Sequence, residues 1–163
     1  MDRLIIKGMA DLSGSIQIKG SKNSALPIMV STLLSKNTLK LKNLPKLDDI
    51  QNMKKLLRGF GATIKSYNDN IEINSNKIIN KNADYDIVRK MRASILILGP
   101  LLARFGEAKI SLPGGCAIGT RPIDIHLEGL KKLGANFIVE NGYVIGRVSN
   151  KLVGNNIQLP FPS

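Results

Sequence analysis

The sequence lacks several features that would assign it to a protein class at once. It has one cysteine and no tryptophan among 163 residues, so an internal disulfide framework is excluded and an aromatic stacking platform for single-stranded nucleic acid is not favoured. The longest apolar stretch, Ile95 to Ala103, contains Pro100 and is far too short to span a bilayer. The first residues, MDRLIIKG, show no secretory signal. We therefore expect a protein of the reducing cytoplasm, without a membrane partner.

Acidic residues are also scarce, with 12 aspartates and glutamates against 24 lysines and arginines and a formal net charge of +12. Such a surface attracts anions, including phosphates, nucleotides and nucleic acid. Many lysines, however, alternate with asparagine and isoleucine, as in residues 73–82, which favours compositional drift on a solvated surface. The length and the 43% apolar content suit one globular domain with a real core.

The first half of the chain has the pattern of alternating strands and helices. Alternation of apolar residues predicts strands at 3–8, 14–20 and 38–44. Apolar residues at helical spacing predict a helix at 48–60, and Asn23 or Ser24 is expected to cap another through 25–35, with Pro27 in its first turn. A hairpin is predicted across Asn68, Asp69 and Asn70.

The second half repeats this order. We predict a long helix over 86–105, a strand over 107–112, a helix over 122–135 and a hairpin around Asn141 and Gly142. LLRGFGATI aligns with GLKKLGANFI, so that Gly61 matches Gly134 at a spacing of 73 residues, which is 134 minus 61. This internal repeat predicts an α/β chain with one βαβαββ unit at 14–74 and a second at 77–147. Residues 157–163 are expected to begin a third, so that the chain ends within the architecture.

The strand-to-helix junction around Lys22 and Asn23 is one candidate site, because free amides and the helix dipole favour an anion there. The alternative, that Lys22 is one more surface lysine and Asn23 only a cap, agrees equally well with the spacing.

The second copy carries extra residues at 111–126, which we call the cysteine loop. Glycines flank Cys116 and allow close backbone approaches, and Arg121 with the following helix favours a reactive thiolate. Cys116 is then a nucleophile or a proton carrier, unless it is a buried apolar residue. Asp124 and His126 are two residues apart and do not share a helix face, so a Cys–His pair is weakly indicated and a structural histidine is the commoner case. No metal-ligand cluster is evident.

Three segments make the sequence similar to a known family: IKGSKNSALPI, MRASILILGPLLARFGEAKISLPGG and SLPGGCAIGTRPIDIHLEGLKKLGA. They closely resemble the UDP-N-acetylglucosamine 1-carboxyvinyltransferases, and the resemblance runs over residues 1–163. It implies two domains, each of three βαβαββ units packed as an inside-out α/β barrel, with this chain as the N-terminal part. It also implies transfer of the enolpyruvyl group of phosphoenolpyruvate to the sugar 3-hydroxyl, with phosphate release, as the first committed step of peptidoglycan synthesis.

The resemblance implies roles for individual residues. Cys116 matches the proton donor, which also forms a covalent adduct with phosphoenolpyruvate and is alkylated by fosfomycin. Lys22 and Asn23 match the phosphoenolpyruvate side, Asn23 is also matched to the nucleotide sugar, and Arg121 also neutralises phosphate. The further positions matched to UDP-N-acetylglucosamine are Arg92, Arg121, Pro122, Ile123, Asp124, Ile125 and Ser163. No cofactor and no metal are implied.

Two departures from the family pattern bear on activity. Leu96 stands where some members have tryptophan. The family's catalytic aspartate and a further phosphate-binding arginine fall outside this sequence, so the 163 residues are expected to have no turnover until the remaining part closes the cleft. Two alternatives stay open: the sister transferases that make 5-enolpyruvylshikimate 3-phosphate, which lack the cysteine loop, and a basic module that binds nucleic acid or another anion.

Overall fold

The computed structural model describes residues 3–8, 11–83, 85–112 and 123–160. The helices in these ranges are α1 (Lys22–Ser31), α2 (Asp48–Gly59), α3 (Tyr85–Val88), α4 (Leu98–Phe105) and α5 (Asp124–Lys132), with 3-10 helices at Thr32–Leu34 and Arg92–Ile97. The strands are β1 (Thr38–Leu41), β2 (Thr63–Tyr67), β3 (Asn70–Asn74), β4 (Asn82–Ala83), β5 (Glu107–Ser111), β6 (Ala135–Glu140) and β7 (Tyr143–Val148). None of the helices in these ranges has the length and apolar character that crossing a membrane requires.

The strands form two small sheets. The first has the order β1-β3-β2 and is antiparallel, and the second has the order β4-β5-β7-β6, in which only β4 and β5 run parallel. Both predicted hairpins are confirmed. At the second hairpin Asn141 and Gly142 have φ values of 50° and 77°, the left-handed region that both central residues of a type I′ turn adopt.

One apolar core lies between the sheets and the helices. The predicted amphipathic helix is confirmed as α2, whose Ile50, Met53, Leu56 and Leu57 are buried. Side chains of α4 and of both sheets belong to the same buried cluster. Since burial of apolar surface is the main favourable contribution to folding, the two halves of the chain stabilise each other rather than fold around separate cores.

Arg104 of α4 joins the two halves by hydrogen bonds. Its Nη1 donates to the carbonyl oxygens of Leu33 at 2.8 Å, Ser35 at 3.1 Å and Ser75 at 2.8 Å, and its Nη2 donates to that of Asn76 at 3.3 Å. All four acceptors belong to the first half, where the 3-10 helix and β3 end. A guanidinium presents several donors in a fixed plane, which allows one side chain to serve both segments.

The repeat is visible in the backbone. Gly61 after α2 and Gly134 after α5 have φ values of 107° and 102°, and the order β1-β3-β2 corresponds to β5-β7-β6. In each half, a residue just after the first strand donates a backbone hydrogen bond to the tip of the hairpin. Leu44 N–H, after β1, donates to Asp69 O at 2.8 Å, and Leu112 N–H, after β5, donates to Gly142 O at 2.7 Å. These correspondences support the predicted repeat; the unit boundaries at 14–74, 77–147 and 157–163 stay predictions.

The strands predicted near the N-terminus are wrong for this structure. Residues 3–8 and 11–20, which we call the N-terminal arm, form no strand, and Leu4 and Ile16 are 86% and 87% exposed. Alternating apolar residues need a neighbouring strand and a covered face, and the described part of the chain supplies neither. Among the described residues, the arm's ion pair and its backbone hydrogen bond both lie near its end: Lys19 pairs with Asp69 at 2.5 Å, and Gly20 N–H donates to Asn43 O.

The single long helix predicted over 86–105 is also wrong. It is divided into α3, the 3-10 helix Arg92–Ile97 and α4, because Met91 has extended angles of φ −150° and ψ 108°. Pro100 is the third residue of α4, in the first turn, where a helix does not use the backbone N–H that proline lacks.

Two smaller predictions are corrected. Ser21, rather than Asn23 or Ser24, is the N-cap of α1, and Pro27 lies beyond the first turn because the helix begins at Lys22. Residues 157–160 form no strand, because no neighbouring chain in the described part pairs with them. The other residues of that predicted strand lie outside the described ranges.

Candidate active site

An open cavity of about 1120 Å³ lies where the starts of α1, α2 and α5 converge on the segment 88–96. Every described residue that the sequence motifs assigned to a substrate site lies on its wall. These residues are Lys22, Asn23, Arg92, Ile123, Asp124 and Ile125. Three distant segments of sequence therefore meet around one space.

The remaining predicted site residues are Cys116, Arg121, Pro122 and Ser163. They lie outside the described residues, as do the glycines at 114, 115 and 119. The structure describes both ends of the cysteine loop, at Leu112 and Ile123, and Ile123 lies on the cavity wall.

Lys22 is placed by a tight backbone corner. Gly20 N–H donates to Asn43 O at 3.1 Å, and a β-carbon on Gly20 would lie 2.3 Å from that oxygen, so only glycine allows this approach. Asn43 N–H in turn donates to Asn70 Oδ1 at 3.2 Å. The first residue of α1 is thus held against the loop after β1, and through it against the β2–β3 hairpin.

The Lys22 ammonium has a charged partner on the cavity wall. Its Nζ lies 2.9 Å from Oδ2 of Asp49, in the first turn of α2. The two side chains are 44% and 29% exposed, so the pair is at the edge of solvent and also faces the cavity. The helix dipole favours carboxylates at helix N-termini, so Asp49 interacts favourably both with Lys22 and with the N-terminus of α2.

Arg92 begins the 3-10 helix at the corner that divides the predicted long helix. The corner is stabilised by buried Ser94, whose hydroxyl donates to Met91 O at 2.6 Å. Nearby, Arg89 makes an ion pair with Asp86 at 3.2 Å. The backbone turn at Met91 thus places Arg92 on the cavity wall, where a continuous helix would have spread residues 89–92 around its circumference.

The first turn of α5 supplies another part of the wall. Asp124 is its first residue, and His126 lines the cavity two residues later. Nε2 of His126 is buried and has no hydrogen-bond partner among the described residues. Burial lowers the pKa of His126 below its ordinary value of 6.5, because desolvation disfavours the charged imidazolium.

The described wall combines a positive rim with an apolar floor. Its cations are Lys22, Arg89, Lys90 and Arg92, against the carboxylates of Asp49 and Asp124. The apolar side chains include Leu26, Val88, Ile95, Leu96, Leu130 and Leu133. Such a site suits an anionic ligand that also carries ring or other weakly polar surface. The described residues hold no cluster of three or more metal-binding side chains.

Sequence reasoning missed part of this wall. Asp49, Arg89 and Lys90 were not singled out, and His126 was favoured as structural. A signal for Asp49 existed in the pair of acidic residues that opens α2, but it indicates only a helix start. Its contact with Lys22 depends on the packing of α1 against α2.

The comparisons with known proteins agree with one another. The model of the family described as EPSP synthase (3-phosphoshikimate 1-carboxyvinyltransferase) matches residues 6–163. Proteins named UDP-N-acetylglucosamine 1-carboxyvinyltransferase are similar over nearly the whole chain: one from Campylobacter fetus subsp. fetus is 54% identical over 96% of this chain, and one from Buchnera aphidicola subsp. Baizongia pistaciae is 55% identical over 100%. This chain spans only 38% and 39% of their respective lengths.

A solved structure shows the same fold. The enolpyruvyl transferase NikO from Streptomyces tendae superposes with a TM-score of 0.74 over 87% of this chain and 31% of its own, at 18% sequence identity. The predicted α/β fold class of the enolpyruvyl transferases is therefore confirmed.

Proposed function

The chain belongs to the EPSP synthase family of carboxyvinyl transferases, and we propose that it acts on UDP-N-acetylglucosamine. The reaction would transfer the enolpyruvyl group of phosphoenolpyruvate to the sugar 3-hydroxyl with release of phosphate, the first committed step of peptidoglycan synthesis. The observation that carries this proposal is the meeting of Lys22, Asn23, Arg92 and the start of α5 around one cavity.

The choice of substrate within the family is supported by two observations. The relatives that are 54% and 55% identical are both named for UDP-N-acetylglucosamine, and the sister shikimate enzymes lack the cysteine loop that surrounds Cys116. A nucleic-acid-binding module is the less supported alternative, because the cations line one cavity that also has apolar walls, and the chain has no tryptophan and few aromatic residues on which bases could stack.

The cavity offers complementary parts to the two substrates. Lys22 is proposed to receive a phosphate or carboxylate of phosphoenolpyruvate, with Asn23 beside it, because an ammonium at a helix N-terminus adds its charge to that of the backbone amides. Arg92 and the start of α5, Ile123 to Ile125, are proposed to hold the nucleotide sugar, whose rings would lie on the apolar floor. Arg121, Pro122 and Ser163 are proposed to complete these contacts.

Cys116 is proposed to carry the proton that the reaction needs. As the sugar 3-hydroxyl loses its proton to a base and its oxygen bonds to C2 of phosphoenolpyruvate, the thiol gives its proton to C3, which yields a tetrahedral intermediate. The thiolate then takes a proton back from C3, and the double bond forms again as phosphate leaves C2 with the electrons of the C–O bond. Arg121, with its planar donors, would neutralise the departing phosphate. We propose that turnover also needs the family's aspartate and arginine, which this sequence does not contain.

This function carries cellular consequences that we also propose. The enzyme would work in the cytoplasm, where both of its metabolites are found, and would supply cell-wall synthesis during changes in cell shape, the cell cycle and cell division. Fosfomycin would act on it by alkylating Cys116.

Fosfomycin labelling tests the proposal without requiring turnover. Mass spectrometry of the 163-residue chain should show one adduct, formed faster with UDP-N-acetylglucosamine and absent from Cys116→Asp. Arg92→Met should slow the labelling about tenfold at limiting nucleotide sugar, the cost expected for one lost charge-assisted contact. The exposed Arg147→Met is the matched control and should label like the unchanged chain.

Two outcomes would count against this function. Absence of labelling with fosfomycin and UDP-N-acetylglucosamine present would contradict it. Faster labelling with shikimate 3-phosphate than with the nucleotide sugar would instead favour synthesis of 5-enolpyruvylshikimate 3-phosphate.

A further inference from the structure

We propose that Asp49 is a specificity-determining residue of the cavity. Its ion pair with Lys22 weakens the binding of free inorganic anions to the Lys22 ammonium. This inference rests on the proposed function, because it concerns how the phosphate end of that site rejects the wrong ligand. Asp49 was matched to no substrate by the sequence motifs, and its contact with Lys22 is seen only in the folded chain.

The geometry places the carboxylate where an anion would bind. Oδ2 of Asp49 is 2.9 Å from Nζ of Lys22, and both residues line the cavity. Lys22 is the first residue of α1 and Asp49 the second of α2. An anion in contact with the ammonium would therefore lie within a few ångströms of the carboxylate as well.

The rest of the wall explains why such a control is needed. The N-termini of α1, α2 and α5 and the cations Arg89, Lys90 and Arg92 make the described rim attractive to any phosphate or sulfate. Without a nearby negative charge, free phosphate would compete with a substrate for Lys22. Coulomb repulsion between a carboxylate and a phosphate about 6 Å apart at a partly exposed site lowers affinity by about three- to tenfold.

Asp49 lowers the affinity for the substrate less than it lowers that for inorganic phosphate, because the substrate makes contacts that free phosphate lacks. An ammonium has three donors, so Lys22 can keep Asp49 while it binds a substrate phosphate. Asn23, Arg92 and the apolar floor then supply interactions that inorganic phosphate cannot make. The ion pair thus lowers the affinity for all anions, and only ligands with further contacts recover it.

A neighbouring residue provides a matched control. Asp48 is the first residue of α2, carries the same charge, and contributes to the same helix N-terminus. It is exposed and makes no ion pair within the described part of the chain. Asp48→Asn and Asp49→Asn therefore change net charge and the helix dipole interaction equally, and differ in the contact with Lys22.

The experiment is a titration of the 15N-labelled 163-residue chain with inorganic phosphate, followed by NMR at the Asn23 amide. Asp49→Asn should bind phosphate about three- to tenfold more tightly than the unchanged chain, and Asp48→Asn less than twofold. Asp49→Ser should show the same gain, and Asp49→Glu should restore the weak binding. In the Lys22→Ala background, Asp49→Asn should give no gain, as a double-mutant cycle requires of an effect carried by the pair.

The inference is overturned if Asp49→Asn and Asp48→Asn bind phosphate equally, if Asp49→Asn binds it more weakly, or if the gain persists without Lys22. These titrations use neither phosphoenolpyruvate nor UDP-N-acetylglucosamine. A failed fosfomycin labelling beside the expected phosphate result would therefore overturn the proposed function alone.

Discussion

Replacement of Arg104 should reveal how strongly the two halves of the chain depend on one side chain. Arg104→Met keeps most of the length and apolar stem but removes every donor. Leu33 and Ser75, whose carbonyl oxygens accept the two 2.8 Å bonds, are both fully buried residues. Their oxygens would be left unsatisfied at a cost of about 1–3 kcal/mol each.

The expected total is smaller than the sum over four bonds. Three acceptors share Nη1, which has two protons, and the bond to Asn76 is the longest at 3.3 Å. We therefore expect Arg104→Met to lower the free energy of unfolding by about 3 kcal/mol, a large part of the 5–15 kcal/mol typical of a domain. Arg104→Lys should lose about half as much, since an ammonium keeps the charge but not the planar fork.

Urea denaturation followed by circular dichroism measures both losses. The exposed Arg147→Met is the control and should stay within about 0.5 kcal/mol of the unchanged chain. A loss below about 1 kcal/mol for Arg104→Met, or a loss equal to that of the control, would refute the reasoning, because the carbonyls would then have been satisfied by water at little cost.

Three further predictions follow from the same structure. Gly61→Ala should lower the melting temperature more than Gly134→Ala. Both glycines have positive φ, which costs an alanine about 1–2 kcal/mol of strain, but only at Gly61 would the new β-carbon lie 2.6 Å from a carbonyl oxygen. Equal losses would contradict this. The free energy of unfolding should fall as pH drops below 6.5, because burial lowers the folded-state pKa of His126 and the unfolded chain then binds more protons. His126→Gln should flatten that dependence, and an NMR titration of the single histidine measures its pKa directly. Limited trypsin digestion should cut after Lys7, in the exposed arm, before any site in the core, and leave the unfolding midpoint unchanged; a protected arm would show that it is covered in solution.

Local patterns predicted the parts of the fold that depend on local chemistry. The Asn141–Gly142 turn was predictable because these residues tolerate positive φ, and α2 because its apolar positions recur at helical spacing. Gly61 and Gly134 were found as a repeat, and their shared φ sign explains why glycine stands at both places. Lys22 and Asn23 were candidates already because a helix N-terminus favours an anion, whereas Arg92 was selected by motif resemblance alone.

The errors came from interactions that a linear pattern does not contain. The N-terminal arm has the alternation of a strand, but a strand exists only with a partner. The break at Met91 was invisible because its apolar neighbours suit an α-helix and a 3-10 helix alike. Asp49 had the signature of a helix start, and only the packing of α1 against α2 brings it to Lys22.

The bonds at the two hairpin tips limit where this protein tolerates inserted sequence. Tips of exposed hairpins are the usual choice for peptide tags or fluorescent labels. Here Asp69 O binds the N–H of Leu44, and Gly142 O binds that of Leu112, the last described residue before the cysteine loop. An insertion at either tip would therefore disturb the hydrogen bond that positions a segment leading to the cavity. A label is better placed at the exposed Ser149 and Asn150 beyond β7.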